Sequence, residues 1–254
     1  MKKSALEFSC KPCLWHKEVN RNQIKYIAIF AMLLDHIAHV FSKFFLNYSW
    51  GFALCFVFRF FGRITAPVMC WFLVQGFIHT SSRKNYAIRL LIFTLVAQIP
   101  YSLVRADVTF MAGLSVIYTL LVSFLMLCVL ESNLEAFPKW VIVIVLIVLS
   151  IFGDWAIFAP LMVLFFYKFR EDRRRLLIFY SLACAMVVVT DIVVLICRHY
   201  YWWNELWQLG MFLFIPLYLL YNGEPGSRHP FHKWFFYAFY PLHLMVLWGI
   251  SHLF

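Results

Sequence analysis

Apolar residues run along this chain in long blocks separated by short polar or basic breaks. A helix needs roughly 20 mostly apolar residues to cross a hydrocarbon core about 30 Å thick. Nine blocks reach or approach that length: 24–46, 58–78, 86–104, 113–131, 139–153, 155–169, 175–197, 206–221 and 234–253. The pattern predicts an all-α fold, a polytopic transmembrane helical bundle of about nine spans. Two places strain this reading. Blocks five and six are short and joined only by Gly153-Asp154, so they also read as two half-helices dipping into the membrane. The stretch from Gly51 to Thr80 is too long for one plain span and admits a re-entrant turn at its start.

Composition supports the same class. Apolar residues make up 64% of the 254-residue chain, charged residues 13%, and mean hydropathy is +0.80. Soluble domains carry about a quarter charged residues. The net charge of +10 is unevenly placed. With the N-terminus inside, seventeen of the 22 Lys and Arg residues fall in cytoplasmic segments, among them Arg21, Arg83, Lys84, Arg89, Lys139 and Arg173-Arg174-Arg175. Outside segments hold only Lys43, Arg105 and Arg198. Cytoplasmic loops of membrane proteins carry this excess, so the basic charge reads as a topology signal and nucleic acid is not an expected partner. Residues 1–23 form a polar cytoplasmic segment with no cleavable signal pattern, and 24–254 form one transmembrane domain in contact with the lipid bilayer. Cys10-Lys11-Pro12-Cys13, followed by His16, has the gap of a zinc knuckle but no second pair, and no metal is expected. The other five cysteines read as small core residues.

Ionisable groups inside the apolar blocks carry the functional signal, because a charge at mid-bilayer is costly and such residues mark sites or pathways. Asp35-His36 lies in the middle of the first block, and His39 shares a helix face with Asp35. A carboxylate beside an imidazole can orient it as a general base. Arg59 and Arg63 are four residues apart on one face and stay charged, so each needs a carboxylate, carbonyls or an anionic ligand. Asp35 is the obvious partner for Arg63. Tyr240-Pro241-Leu242-His243 places a proline kink beside a histidine, and Gln98, Pro100 and Tyr101 make a second polar kink. Kinked helices at membrane depth commonly line a cavity. A proton-coupled carrier and a non-enzymatic assembly factor are compatible with these residues, as is a membrane-embedded enzyme.

Several of these motifs resemble the TraX family. They are Ile27–Val40 (IAIFAMLLDHIAHV), Gly62-Arg63-Ile64-Thr65-Ala66-Pro67, Gln75–Thr80, Tyr86, Arg89-Leu90, Gln98-Ile99-Pro100-Tyr101 and Phe239–Leu244. The resemblance runs from about residue 24 to the C-terminus. It implies an integral-membrane acetyltransferase of the bacterial inner membrane, using cytoplasmic acetyl-CoA and acting on an outward-facing acceptor. The family acceptor is the N-terminal amine of a pilin-like peptide. The implied site has His36 and Asp35 as catalytic residues, with Arg63, Arg59, His243, Tyr240, Gln98 and Arg89 binding substrate or cofactor. Arg83, Lys84 and Arg89 are expected at its cytoplasmic mouth. The chain departs from the family pattern at Ser115 and over Asp154–Pro160, where the acceptor pocket is expected, so a hydroxyl on a glycan or small molecule stays an alternative acceptor.

The charge asymmetry predicts a cytoplasmic N-terminus and an external C-terminus. A topology reporter fused after Phe254 should therefore be active only on the outer side of the membrane; activity on the cytoplasmic side would mean that the number of crossings is even.

Overall fold

The computed structural model describes residues 18–105, 113–227 and 229–253, apart from the side chains of Pro230 and Lys233. The cysteine pair at 10 and 13 lies outside them. The protein is an all-α membrane protein, 80% helical, with no strands among the described residues. Its helices are α1 (Arg21–Val40), the short α2 (Ser42–Phe45), α3 (Gly51–Gly62), α4 (Thr65–His79), α5 (Arg83–Val104), α6 (Val116–Leu130), α7 (Ala136–Leu149), α8 (Phe158–Lys168), α9 (Arg173–Cys197), α10 (Phe214–Leu220) and α11 (Pro230–Ser251). Among the described residues four stretches are long and apolar enough to cross a membrane: 51–79, 83–104, 173–197 and 234–251. The apolar helices α6, α7 and α8 are shorter.

The apolar blocks and the helices coincide closely, with two local differences. The stretch from Gly51 to His79 is interrupted at Arg63-Ile64, which divides α3 from α4. The block expected over 206–221 begins as a 3-10 helix, Trp202–Leu213, and becomes α-helical only at Phe214. Pro216 falls in the first turn of α10, where its missing N–H removes no intrahelical bond. As for the two short blocks, α7 continues as a 3-10 turn to Phe152 and α8 has 11 residues. At 1.5 Å per residue α8 is about 16 Å long, roughly half the hydrocarbon thickness.

Helices α4 and α6 form the centre. Val68, Trp71, Val74 and Phe77 of α4 and Phe124, Met126 and Leu127 of α6 are buried. Outside them, α5, α7 and α9 turn Leu95, Ile99, Ile144, Val148, Met186 and Val189 outward. A surface of this kind suits lipid, where apolar side chains face the chains and backbone polar groups are satisfied within each helix. α1 packs against α3, α4 and α11, and α11 packs against α5.

One close approach positions the site. Gly62, the last residue of α3, lies against α1 so tightly that an added Cβ would sit 2.4 Å from the Cβ of Asp35 and 2.9 Å from its Oδ1. Gly62→Ala should force α3 away from α1 and destabilise the protein by about 1–3 kcal/mol, the usual range for overpacking. A lower thermal midpoint in detergent is the expected reading, and an unchanged midpoint would show that the helices relax freely.

Candidate functional site

Asn20 begins α1 with a capping box: its side chain accepts from the Gln23 amide at 3.0 Å, and the Gln23 side chain accepts from the Asn20 amide at 2.8 Å. The twenty residues that follow rise about 30 Å, which places Asp35 and His36 well inside the bundle. Because Gly62 lets α3 approach, the next residue, Arg63, reaches Asp35 directly, with Nη2 2.7 Å from Oδ1. Arg63 is only 9% exposed. A guanidinium in so dry a place needs a counter-charge, and Asp35 provides one. The Arg63 Cζ also lies 5.3 Å from the centre of the Trp155 ring.

His36 takes its hydrogen bonds elsewhere. Neighbouring side chains on a helix diverge by about 100°, and while Asp35 turns to Arg63, His36 turns to α11. Its Nδ1 lies 2.9 Å from the Met32 carbonyl oxygen and 3.1 Å from Nε2 of His243. His243 in turn places Nδ1 2.8 Å from the Phe239 carbonyl oxygen. A carbonyl oxygen only accepts, so both Nδ1 atoms carry the hydrogen. In the neutral pair, Nδ1–H of His36 is shared between Met32 and the bare Nε2 of His243. The Nε2 of His36 keeps a free lone pair.

A cavity of about 400 Å³ runs along α1 from Arg21, Asn22 and Lys25 to Asp35 and His36. Gly62, Tyr240, Asp154 and Trp155 line it beside the histidine. The turn that brings Asp154 there is built from irregular backbone. Leu114 donates to the Phe152 carbonyl at 2.6 Å, Asp154 donates to the Leu114 carbonyl at 2.9 Å, and the Thr119 hydroxyl donates to the Asp154 carbonyl at 2.6 Å. Trp155 and the β-branched Ile157 both have a φ of 57°, a strained conformation of a kind that clusters at functional sites.

The structure brings Asp35, His36 and Tyr240 onto the cavity wall, with Arg63 and His243 directly behind them. Asp35 makes the contact with Arg63 that the sequence suggested, and His36 makes its hydrogen bonds with Met32 and His243 instead of Asp35. Arg59 does not line the cavity, and its Cζ lies 4.3 Å from the Trp207 ring centre. The Gln98 amide group is taken up within the protein: Nε2 donates to the Gly113 carbonyl at 3.2 Å and to the Ser102 hydroxyl at 3.3 Å, and Oε1 accepts from the Ser115 amide at 3.1 Å. It thereby holds the start of α6. Arg89 rests 5.3 Å from the ring of Tyr86, which lines the cavity where Arg89 does not. The basic end is not built as expected from Arg83 and Lys84 either. Arg83 lies 3.8 Å from Glu131, and among the described residues the lysine and arginine side chains lining that end are Lys25 and Arg21. In the sequence Asp154 stands out only within the departure from the family pattern over Asp154–Pro160. A carboxylate between two short apolar blocks was its one local signal. Among the described residues no group of three or more His, Cys, Asp or Glu side chains is arranged to hold a metal ion.

The site and the fold together define an integral membrane protein with a histidine pair and a buried ion pair at one end of an intramembrane cavity. The chain belongs to the TraX family: the family of TraX protein matches residues 20–251. It is 31% identical over 233 residues to the probable fimbrial assembly protein FimC, serogroup H1, of Dichelobacter nodosus, an alignment that covers 89% of this chain and 93% of that protein. No solved structure matches the chain.

The ion pair gives a stability prediction. Arg63→Met alone leaves the Asp35 carboxylate largely buried and unpaired, and should destabilise the protein by about 3 kcal/mol. Adding Asp35→Leu should recover most of that loss, because two apolar side chains can replace a buried pair without penalty. Thermal midpoints of the two single variants and the double variant check this, and additive losses would show that the two side chains do not act as a pair.

Proposed function

We propose that the protein is an acetyltransferase of the bacterial inner membrane that moves an acetyl group from cytoplasmic acetyl-CoA to an outward-facing acceptor, the N-terminal amine of a pilin-like subunit. The observation that carries this reading is the free Nε2 lone pair of His36 on the wall of a cavity that reaches the basic end of α1. Membership in the TraX family and the similarity to a protein named for fimbrial assembly favour a pilus subunit as the acceptor.

The chemistry follows from the hydrogen bonds. The acceptor amine attacks the acetyl carbonyl carbon, a C–N bond forms, and the C–S bond breaks to release the CoA thiolate. The proton leaving the amine goes to Nε2 of His36. The imidazolium so formed donates through Nδ1 to the bare Nε2 of His243, whose own Nδ1–H stays on Phe239. Asp35 and Asp154 are the negative charges lining the cavity beside this histidine, and they stabilise its charged form. The Tyr240 ring centre is 6.3 Å from that of His36, and its hydroxyl serves the oxyanion that develops on the acetyl oxygen. Arg63 acts through Asp35 and is a positioning residue. An α-amine, with a pKa of about 8, sheds its proton far more readily than a lysine at about 10.4, so an imidazole suffices as base.

Transfer of label from radiolabelled acetyl-CoA to a leaderless pilin-like peptide, in purified detergent preparations, tests this directly. His36→Gln should lower the rate at least 100-fold, within the usual range for loss of a general base. Tyr240→Phe should lower kcat by a similar or smaller factor and leave KM largely unchanged. If wild-type protein moves no label, the assembly-factor and carrier readings replace this one. Label appearing on a glycan or a small-molecule hydroxyl, with the peptide unmodified, would keep acetyl transfer and remove the pilin. In cells, the intact mass of the pilin should fall by one acetyl group when the gene is deleted.

A further inference from the structure

The end of the cavity farthest from His36 has a chemistry of its own. Arg21, Asn22 and Lys25 of α1 line it on one side, and Ser227, His229 and His232 line it on the other. Among the described residues no carboxylate lines this end. The cavity's two carboxylates, Asp35 and Asp154, belong to the histidine end, and Asp35 is about 21 Å from Arg21 along the helix at 1.5 Å per residue. The Nε of Arg21 is buried with no hydrogen-bond partner, and neither Arg21 nor Lys25 has an ion-pair partner among the described residues. The Lys25 ammonium lies 4.8 Å from the Phe236 ring centre and 5.3 Å from that of Phe72. It is held between two rings at the cavity wall.

This end is also fixed in place. The Val19 amide donates to the Leu220 carbonyl at 3.2 Å, the Asn222 amide to the Val19 carbonyl at 3.0 Å, and the Arg21 amide to the Glu224 carbonyl at 2.9 Å. Asn22 Nδ2 donates to the Ser227 carbonyl at 2.7 Å. At Gly226, whose φ is +73°, an added Cβ would fall 2.8 Å from the Asn20 side chain, so the loop before α11 lies directly on the start of α1. These bonds hold His229 and His232 across from the two cations. The Tyr26 hydroxyl, 2.7 Å from Nδ1 of His232, fixes that ring. Between the two ends the wall is mostly apolar, with Ala28, Ile29, Met32, Met69 and Leu73, and the Thr65 hydroxyl there donates to the Ala28 carbonyl.

A cationic end, an apolar passage and a base at the far end fit a ligand with an anionic head and a long thin arm that carries its reactive group at the tip. We propose that Arg21 and Lys25, faced by His229 and His232, form a phosphate-binding subsite that recognises the phosphate-bearing head of the acyl donor. This inference rests on the acetyl-transfer reading for its reactive end. A guanidinium can bind phosphate through paired hydrogen bonds, and an ammonium supplies a point charge beside it.

The test compares acetyl-CoA with the phosphate-free donor S-acetylpantetheine, using full-length protein in nanodiscs of neutral lipid. In wild-type protein kcat/KM should favour acetyl-CoA. In Arg21→Gln/Lys25→Gln that preference should fall at least tenfold, mainly through KM for acetyl-CoA, and in Arg21→Lys/Lys25→Arg most of it should return. Binding of desulfo-coenzyme A, which has the phosphates but cannot transfer an acyl group, should weaken by the same factor. A preference and a binding affinity unchanged by the Gln substitutions would overturn the subsite and leave acetyl transfer intact. If wild-type protein uses neither donor, acetyl transfer fails, and desulfo-coenzyme A binding alone decides the subsite. A defect confined to nanodiscs containing phosphatidylglycerol would assign the cations to a lipid headgroup and overturn the donor assignment.

Discussion

The contact between Asp35 and Arg63 is the constraint around which the site is arranged. A guanidinium does not give up its charge in an apolar bundle, so the fold must bring a carboxylate to it. Placing that carboxylate on α1 and the arginine just past the end of α3 brings the end of α3 against the Asp35 side chain, and Gly62 is the residue that permits this. The break at Arg63-Ile64 divides one long apolar stretch into α3 and α4 at the level of the pair. The α7–α8 turn comes in from the other side and lays Trp155 near the guanidinium. One electrostatic requirement thus accounts for a glycine, a helix break and the approach of a distant turn.

With Asp35 occupied, His36 is organised by backbone carbonyls and by a second histidine from the last helix. Carbonyls of Met32 and Phe239 fix both Nδ1 hydrogens, and the pair ends in a single free lone pair. This differs from an arrangement in which a carboxylate holds the imidazole. In the carbonyl-held version the hydrogen-bond partners of both rings are themselves uncharged groups. The Leu114–Gly153 bridge, the Gln98 contacts and the strained backbone at Trp155 and Ile157 supply the rigidity that keeps Asp154 and Tyr240 at this place.

Much of this was legible in the sequence. The nine apolar blocks coincide with helical segments, because apolar length in a membrane protein is a direct physical requirement. Asp35, His36, Arg63 and His243 stood out because ionisable groups are rare where nothing solvates them. The Asp35–Arg63 pair was legible too, whereas the partner of His36 was not, since it lies on the last helix, 207 positions away in sequence. Gln98 read as a ligand-facing amide because a polar residue beside a proline kink has the same appearance whether it meets a substrate or an orphaned backbone amide. Arg83 and Arg89 read as cavity cations from their place in a basic loop, whereas Arg21 and Lys25 face it because α11 packs beside α1. Asp154 carried the weakest signal, as its position depends on backbone bonds between residues forty positions apart in sequence.

Chemical rescue at position 36 tests the central claim most directly. His36→Gly removes the base and leaves space for one imidazole beside His243. The account predicts that the purified variant transfers little label from acetyl-CoA, and that added imidazole restores transfer in a saturable manner. Full transfer by the variant without imidazole would contradict the assignment of His36 as the base.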